Sequence, residues 1–76
     1  MNVQIVIELP DSAFSALRTH PDIFVTEMRL AAAIKWYELG RISQSKAAEI
    51  AGISRHEFLN ALWRYDIDDR AAMPIP

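Results

Sequence analysis

Apolar residues occupy every second position from Val3 to Leu9, with Gln4, Val6 and Glu8 between them, and the pattern ends at Pro10. This period of two predicts a β-strand with one buried face. No other segment alternates in this way. A lone strand would leave its backbone amides and carbonyls without partners, so we expect it to pair with the same strand of a second subunit. The residues predicted at this dimer interface are Val3, Ile5, Ile7 and Leu9.

A tail strand around residues 73–75 is a weaker candidate partner for the first strand. Pro74 and Pro76 lie in or beside that segment, and proline has no backbone amide to donate to a ladder. Pairing between two subunits therefore remains the favoured arrangement.

Helical spacing replaces the alternation after residue 10. Asp11 or Ser12 can cap a short helix, which should end before His20-Pro21 because a residue preceding proline disfavours helical backbone. A long helix is then predicted from about Ile23 to Leu39, with Gly40 as its C-terminal cap. Apolar residues lie on most sides of this helix, so we expect it to be buried on most sides and to contribute one face to the dimer interface.

The most informative segment runs from Ser43 to Tyr65 and predicts two short helices joined by an Ala-Gly-Ile turn. Gly52 is expected to take a positive φ in this turn, and Ile53 to fill the corner. Ser54 and Glu57 have the spacing of a capping box that starts the second helix. Small residues are predicted where the helices cross, at Ala47, Ala48 and Ala51. The core face of the second helix is predicted to consist of Phe58, Ala61, Leu62 and Tyr65.

Two interpretations fit this segment. Any helical hairpin needs small residues at its crossing and a glycine in its turn, so each feature alone also fits two helices that merely pack. Their conjunction favours a DNA-binding helix-turn-helix, in which the second helix meets the DNA. In that case His56, Asn60 and Trp63 point away from the first helix.

Length and composition predict a single domain of the intracellular type. The chain has 76 residues and no cysteine, so it must be held together by packing alone. Hydrophobic residues make up 51% of it, which a small domain has limited room to bury, and this favours oligomerisation. We find neither a signal peptide nor an apolar run approaching the roughly 20 residues that span a bilayer. A cytoplasmic location is therefore expected.

The charge is unevenly distributed along the chain. A net charge of -2 and a pI of about 5.5 argue against binding nucleic acid through bulk electrostatics. Residues 41–65, however, carry four basic and two acidic side chains, a net charge of +2, whereas residues 1–40 and 66–76 each carry -2. The basic surplus thus lies in the predicted helix-turn-helix.

Within that segment, Arg55 is the first candidate for a DNA contact, because an arginine near a helix N-terminus can reach a phosphate or pair with guanine. His56 follows, and Asn60 either pairs with adenine or contacts nothing. Ser43, Gln44, Ser45 and Lys46 open the first helix, where they either bind a DNA phosphate or simply cap the helix, with Ser43 as the N-cap. Arg41 and Arg64 either clamp the DNA backbone or are solvated charges.

Catalysis and metal binding find little support in the residues. There is no cysteine nucleophile, the two histidines are His20 and His56, and no serine lies in a nucleophile elbow. The acidic run Asp66, Asp68 and Asp69 lacks the further ligands and the glycine of a calcium loop. We therefore expect no enzyme, no cofactor and no bound metal.

The stretch GRIS-x-SKAAEIAG-I-SRHEF, from Gly40 to Phe58, resembles an uncharacterised family of small prokaryotic proteins that end in the same helix-turn-helix and are often described as antitoxins. The amino-terminal strand and helices match only in pattern. The resemblance implies a cytoplasmic dimer that binds operator DNA, with a possible toxin protein, encoded beside it, as a second partner. The resemblance also implies that Arg55 and its neighbours contact the DNA, because of their positions in the matching segment.

The predicted fold is mainly α with one N-terminal β-strand, a strand-helix-helix followed by a helix-turn-helix, dimeric through strand pairing. Residues 1–40 would serve dimerisation, 41–65 would form the helix-turn-helix and 66–76 an acidic, proline-containing tail. A ribbon-helix-helix dimer shares the strand and helix order, but its outward strand positions here, Gln4, Val6 and Glu8, suit DNA poorly. The predicted function is a DNA-binding antitoxin that regulates transcription. The alternative is a module that neutralises a basic partner protein without binding DNA.

Overall fold

The computed structural model describes residues 1–65, and four helices account for the regular structure of that range. They are α1 at Ser12–Leu17, α2 at Pro21–Glu38, α3 at Gln44–Ala51 and α4 at Arg55–Arg64. Helix α2 packs against both α1 and α3, and α3 packs against α4. None of the helices within residues 1–65 combines the length and the apolar character needed to cross a bilayer.

The predicted N-terminal strand is wrong. Residues 1–10 form neither a strand nor a helix, and both sides of the segment face solvent, since Val3 is 85% exposed and Val6 is 87% exposed. The physical reason is that a strand needs a ladder, and no second alternating segment within residues 1–65 is available to pair with it. The prediction that this strand forms a dimer interface is therefore wrong as well. The residues predicted at that interface were Val3, Ile5, Ile7 and Leu9.

Residues 5–9 instead lie beside the start of α2. Together with side chains of α1 and α2 they line an apolar groove of about 660 Å³, whose helical lining residues are Phe14, Pro21, Phe24, Val25 and Met28. The alternative tail strand around residues 73–75 lies outside the described residues.

Helix α1 is short and joins α2 through a tight turn. Arg18 takes a left-handed conformation with a φ of 53°, and its amide and that of Thr19 donate to the carbonyls of Ser15 and Phe14. Helix α2 starts at Pro21, two residues before the predicted start, because the fixed φ of proline suits the first helical position.

The predicted glycine cap at the end of α2 is confirmed. Gly40 has a φ of 75°. Its amide donates to the carbonyl of Tyr37 at 2.9 Å, and the amide of Arg41 donates to the carbonyl of Trp36 at 2.9 Å. These two hydrogen bonds satisfy carbonyls that the helix end would otherwise leave open. The chain is thereby turned directly into α3.

The core lies between α2, α3 and α4. Phe58 and Leu62 of α4 are its largest fully buried side chains, and the ring of Tyr37 packs edge-on against Phe58 with centroids 5.7 Å apart. The alanines predicted at the helix crossing are buried: Ala47, Ala48 and Ala51. Ala61, predicted on the core face of the second helix, is buried too, and so is Ala33 of α2. These small side chains allow the helix backbones to approach closely.

Helix α2 is less buried than predicted. Phe24, Ala33, Ile34 and Tyr37 are its buried residues. Apolar side chains on its other sides remain exposed within this chain, among them Val25, Trp36 and, just after the helix, Leu39. The apolar character all around α2 therefore predicted more burial than residues 1–65 provide. A homodimer that covers these side chains stays a prediction.

Candidate nucleic-acid interface

Helices α3 and α4 are joined by a turn of residues 52–54, where the sequence predicted it. Gly52 has a φ of 76°, which confirms the predicted positive value. Its amide donates to the carbonyl of Glu49 at 3.1 Å, and the amide of Ile53 donates to the carbonyl of Ala48 at 3.0 Å. The half-buried side chain of Ile53 packs against the core, so the turn has a fixed shape.

Side-chain caps define where both helices begin. The hydroxyl of Ser43 accepts a hydrogen bond from the amide of Lys46 at 3.1 Å. At α4 the hydroxyl of Ser54 accepts from the amide of Glu57 at 3.1 Å, and the Glu57 carboxylate accepts from the amide of Ser54 at 3.0 Å. Both the Ser43 cap and the predicted capping box are confirmed.

The capping box also affects the acidity of Glu57. The hydrogen bonds that its carboxylate shares with the backbone and side chain of Ser54 lower its pKa below the ordinary value of 4.5, and nearby His56 lowers that pKa further. The carboxylate thus stays charged at neutral pH, where it complements the positive end of the α4 dipole.

The outward face of α4 is polar and aromatic. His56, Asn60, Trp63 and Arg64 are exposed, and their spacing of three or four residues places them on one side of the helix. Trp63 is 71% exposed, so its ring is not buried against the other residues of 1–65. This side can therefore meet a ligand without any rearrangement of the fold.

Helix α4 departs from the prediction at its end. Tyr65 is 51% exposed and does not join the buried residues Phe58, Ala61 and Leu62. The reason is that Tyr65 is the C-terminal cap, with a φ of -95° and a ψ of 7°. Helical periodicity does not continue through it, so its side chain leaves the core face.

Arg55 is held by Gln44 across the start of the two helices. The Nε and Nη2 atoms of Arg55 donate to the Oε1 atom of Gln44 at 3.2 and 3.1 Å. The Nε2 atom of Gln44 donates in turn to the hydroxyl of Tyr37 at 3.0 Å. Two predicted site residues, Gln44 and Arg55, are thus brought together. The link to Tyr37 connects them to α2 and the core.

Arg29 of α2 contacts the C-terminal end of α3, which the sequence did not predict. Its Nε atom donates to the carbonyl of Ile50 at 2.8 Å, and its Nη2 atom lies 3.5 Å from the carbonyl oxygen of Glu49. The guanidinium therefore binds the negative end of the α3 dipole beside Gly52. Arg29 is separated from Ile50 by 21 residues, and no local pattern could have indicated this contact.

The remaining predicted site residues lie on the surface. Lys46 forms an ion pair of 2.8 Å with Glu49, and both side chains are largely exposed. Such pairs contribute about 0–1 kcal/mol, so Lys46 can leave Glu49 at little cost to meet a phosphate. Ser45, Arg41 and Arg64 are exposed as well. The acidic residues of 66–76 lie outside the described range.

Comparisons with known proteins place the chain in a family. Residues 1–70 match the uncharacterised protein family UPF0175. The chain is also 38% identical over 64 residues to a UPF0175 protein of Aeropyrum pernix, an alignment that covers 84% of this chain and 67% of that relative. No solved structure matches it. The match spans the N-terminal segment and all four helices, and by it the chain belongs to the uncharacterised protein family UPF0175.

Proposed function

We propose that this chain is a small DNA-binding transcription regulator of the antitoxin kind, and that it reads operator DNA with α4. The observation that carries the proposal is the pairing of two helix starts. The contact between Gln44 and Arg55 brings the first residues of α3 and α4 within hydrogen-bond distance of each other. The outward face of α4 beside them carries His56, Asn60 and Arg64.

Size and electrostatics support the proposal. Helix α4 has ten residues and is about 15 Å long, enough to lie across a B-DNA major groove about 12 Å wide. The N-terminal ends of α3 and α4 both carry the positive end of a helix dipole, which favours phosphate. Arg41, Lys46, Arg55 and Arg64 add positive charge to a segment whose net charge is +2.

The test is a fluorescence anisotropy titration of duplex DNA from upstream of the chain's own gene, over a series of stated salt concentrations. Arg55→Ala should weaken binding by roughly 1–3 kcal/mol if the side chain contacts a base. Arg64→Ala should weaken all duplexes alike and reduce the salt slope by about 1. Lys35→Ala is the matched control, because Lys35 is a cation of α2 paired with Glu38, outside the α3–α4 pair. Absence of binding at low salt would remove the proposal.

The antitoxin part of the proposal assigns the chain a second partner, a toxin protein encoded beside it. It draws on the resemblance of residues 40–58 to proteins described as antitoxins and on the exposed apolar segment at residues 3–7. Co-expression of the chain with the product of the neighbouring gene should yield a complex and relieve that product's toxicity. A cytoplasmic location follows from this role.

A rival proposal is a protein-interaction module that holds a basic partner and does not bind DNA. The net charge of -2 over the whole chain favours it. In that case a complex with the neighbouring gene product should survive Arg55→Ala but fail when residues 66–76 are deleted. If the complex survives both changes while duplex DNA is still bound in a salt-dependent way, the regulator proposal is favoured.

A further inference from the structure

We infer that Gln44 is a positioning residue, which holds the guanidinium of Arg55 so that its outer edge can pair with the O6 and N7 atoms of a guanine in the major groove. This inference rests on the proposed DNA-binding function. Gln44 orients Arg55, and that orientation favours guanine over phosphate as the group that Arg55 contacts.

The guanidinium of Arg55 divides its hydrogen-bond donors between two edges. A guanidinium has five N–H groups arranged in a fixed plane. The edge formed by Nε and Nη2 is used by Gln44, whose Oε1 atom accepts from both at 3.2 and 3.1 Å. The edge formed by Nη1 and the second hydrogen of Nη2 donates to no acceptor among residues 1–65. Arg55 is exposed, so this two-donor edge is available to a ligand.

The side-chain amide of Gln44 has a fixed orientation. Arginine is a donor only, so the Oε1 atom of Gln44 must face Arg55, and the Nε2 atom must face the hydroxyl of Tyr37. Tyr37 is 2% exposed and its ring packs against Phe58. The position of the Arg55 guanidinium is thus tied to the core through two side chains. Less conformational freedom remains to be lost when it binds a ligand.

The two-donor edge of Arg55 matches pairs of acceptors on DNA. Two parallel N–H donors pair with two acceptors in one plane, and duplex DNA offers such pairs at the guanine edge and at phosphate oxygens. Arg55 is the first residue of α4, the helix proposed to enter the groove, and first-turn residues of such helices contact base edges. The planar, fixed edge and this position favour guanine.

The experiment measures binding to the tightest duplex from the upstream region, with each guanine replaced in turn by 7-deazaguanine, which lacks the N7 acceptor. Wild-type protein should lose on the order of 5- to 100-fold in affinity at one guanine of the site. Arg55→Ala should not distinguish the two duplexes. Gln44→Ala should bind the unmodified duplex about 3- to 10-fold more weakly and lose most of the discrimination.

A conservative variant separates positioning from structure. Gln44→Glu keeps an acceptor for Arg55, so the ratio between unmodified and modified duplex should recover even where the added charge lowers both affinities. A purely structural role would instead make Gln44→Ala weaken both duplexes equally. Thermal unfolding of each variant shows whether the fold is retained.

The outcomes distinguish this inference from the proposed function. If wild-type protein binds no duplex, the proposed function fails. If it binds with guanine dependence that Gln44→Ala leaves unchanged, the positioning inference alone is overturned. A third result is that no 7-deazaguanine lowers the affinity, whereas a neutral methylphosphonate at one phosphate lowers the affinity of wild type more than that of Arg55→Ala. Arg55 would then contact phosphate, and the guanine assignment would be overturned.

Discussion

Replacing Gly52 by alanine tests how the corner between α3 and α4 is held. Gly52 has a φ of 76°, a left-handed conformation that costs an L-residue about 1–2 kcal/mol. Alanine also restricts the unfolded chain, which offsets roughly 0.4–1 kcal/mol of that loss. The backbone alone therefore leaves a net destabilisation of about 1 kcal/mol.

Arg29 adds a second contribution to the cost of this substitution. A Cβ atom at position 52 would lie 3.1 Å from both Nη atoms of Arg29 and 3.2 Å from its Cζ atom, closer than the optimal separation of about 3.5–4.0 Å. The guanidinium must shift, and its hydrogen bond of 2.8 Å to the carbonyl of Ile50 is weakened. Because Arg29 is exposed, we expect a further loss of about 0.5–1 kcal/mol.

Together these contributions give about 1.5–2 kcal/mol, which corresponds to a fall in Tm of roughly 10 °C for a domain of this size. The assay is thermal and urea unfolding, followed by circular dichroism, of wild type, Gly52→Ala, Arg29→Ala and the double variant. Gly40→Ala is the control for the backbone contribution, because Gly40 has a φ of 75°. If Gly52→Ala costs the same with and without Arg29, the contact with Arg29 is refuted. If it costs nothing, the left-handed corner is refuted.

The remaining predictions concern the caps and the core. Ser54→Ala should destabilise the protein by about 1 kcal/mol in urea unfolding, through loss of the capping box. Because folding lowers the pKa of Glu57 below 4.5, the stability that wild type holds over Glu57→Gln should be present above pH 4.5 and disappear as the pH falls through the folded-state pKa. Leu62→Ala should cost about 2–5 kcal/mol, since this side chain is fully buried. Arg18→Gly should raise stability by about 0.5–1 kcal/mol, because Arg18 has a φ of 53°; an unchanged Tm would contradict this.

The features that the sequence predicted correctly are those decided within a few residues. The cap at Ser43, the glycine at position 52 and the capping box of Ser54 and Glu57 each depend on hydrogen bonds to amides or carbonyls at most five residues away. Their physical basis is local backbone geometry, so spacing alone is sufficient to place them. The family resemblance rested on this same segment.

The features that the sequence missed depend on distant parts of the chain. The alternation of residues 1–10 predicted a strand, but a strand exists only where a second segment completes its ladder. The contact of Arg29 with Ile50 spans 21 residues and that of Arg55 with Gln44 spans 11. Both contacts depend on how α2, α3 and α4 pack against one another. Periodicity identifies which residues of a helix face away from the protein core, but not which of those residues contact each other.

The central claim, that the starts of α3 and α4 and the outward face of α4 contact DNA, is tested most directly by an NMR titration. Amide shifts of the ¹⁵N-labelled protein would be followed as duplex from the upstream region is added at low salt. We expect the largest changes to cluster at residues 43–46 and 54–64, with the Arg55 side-chain Nε resonance among them. Shifts confined to residues 1–40, or no shifts at stoichiometric duplex, would contradict the account.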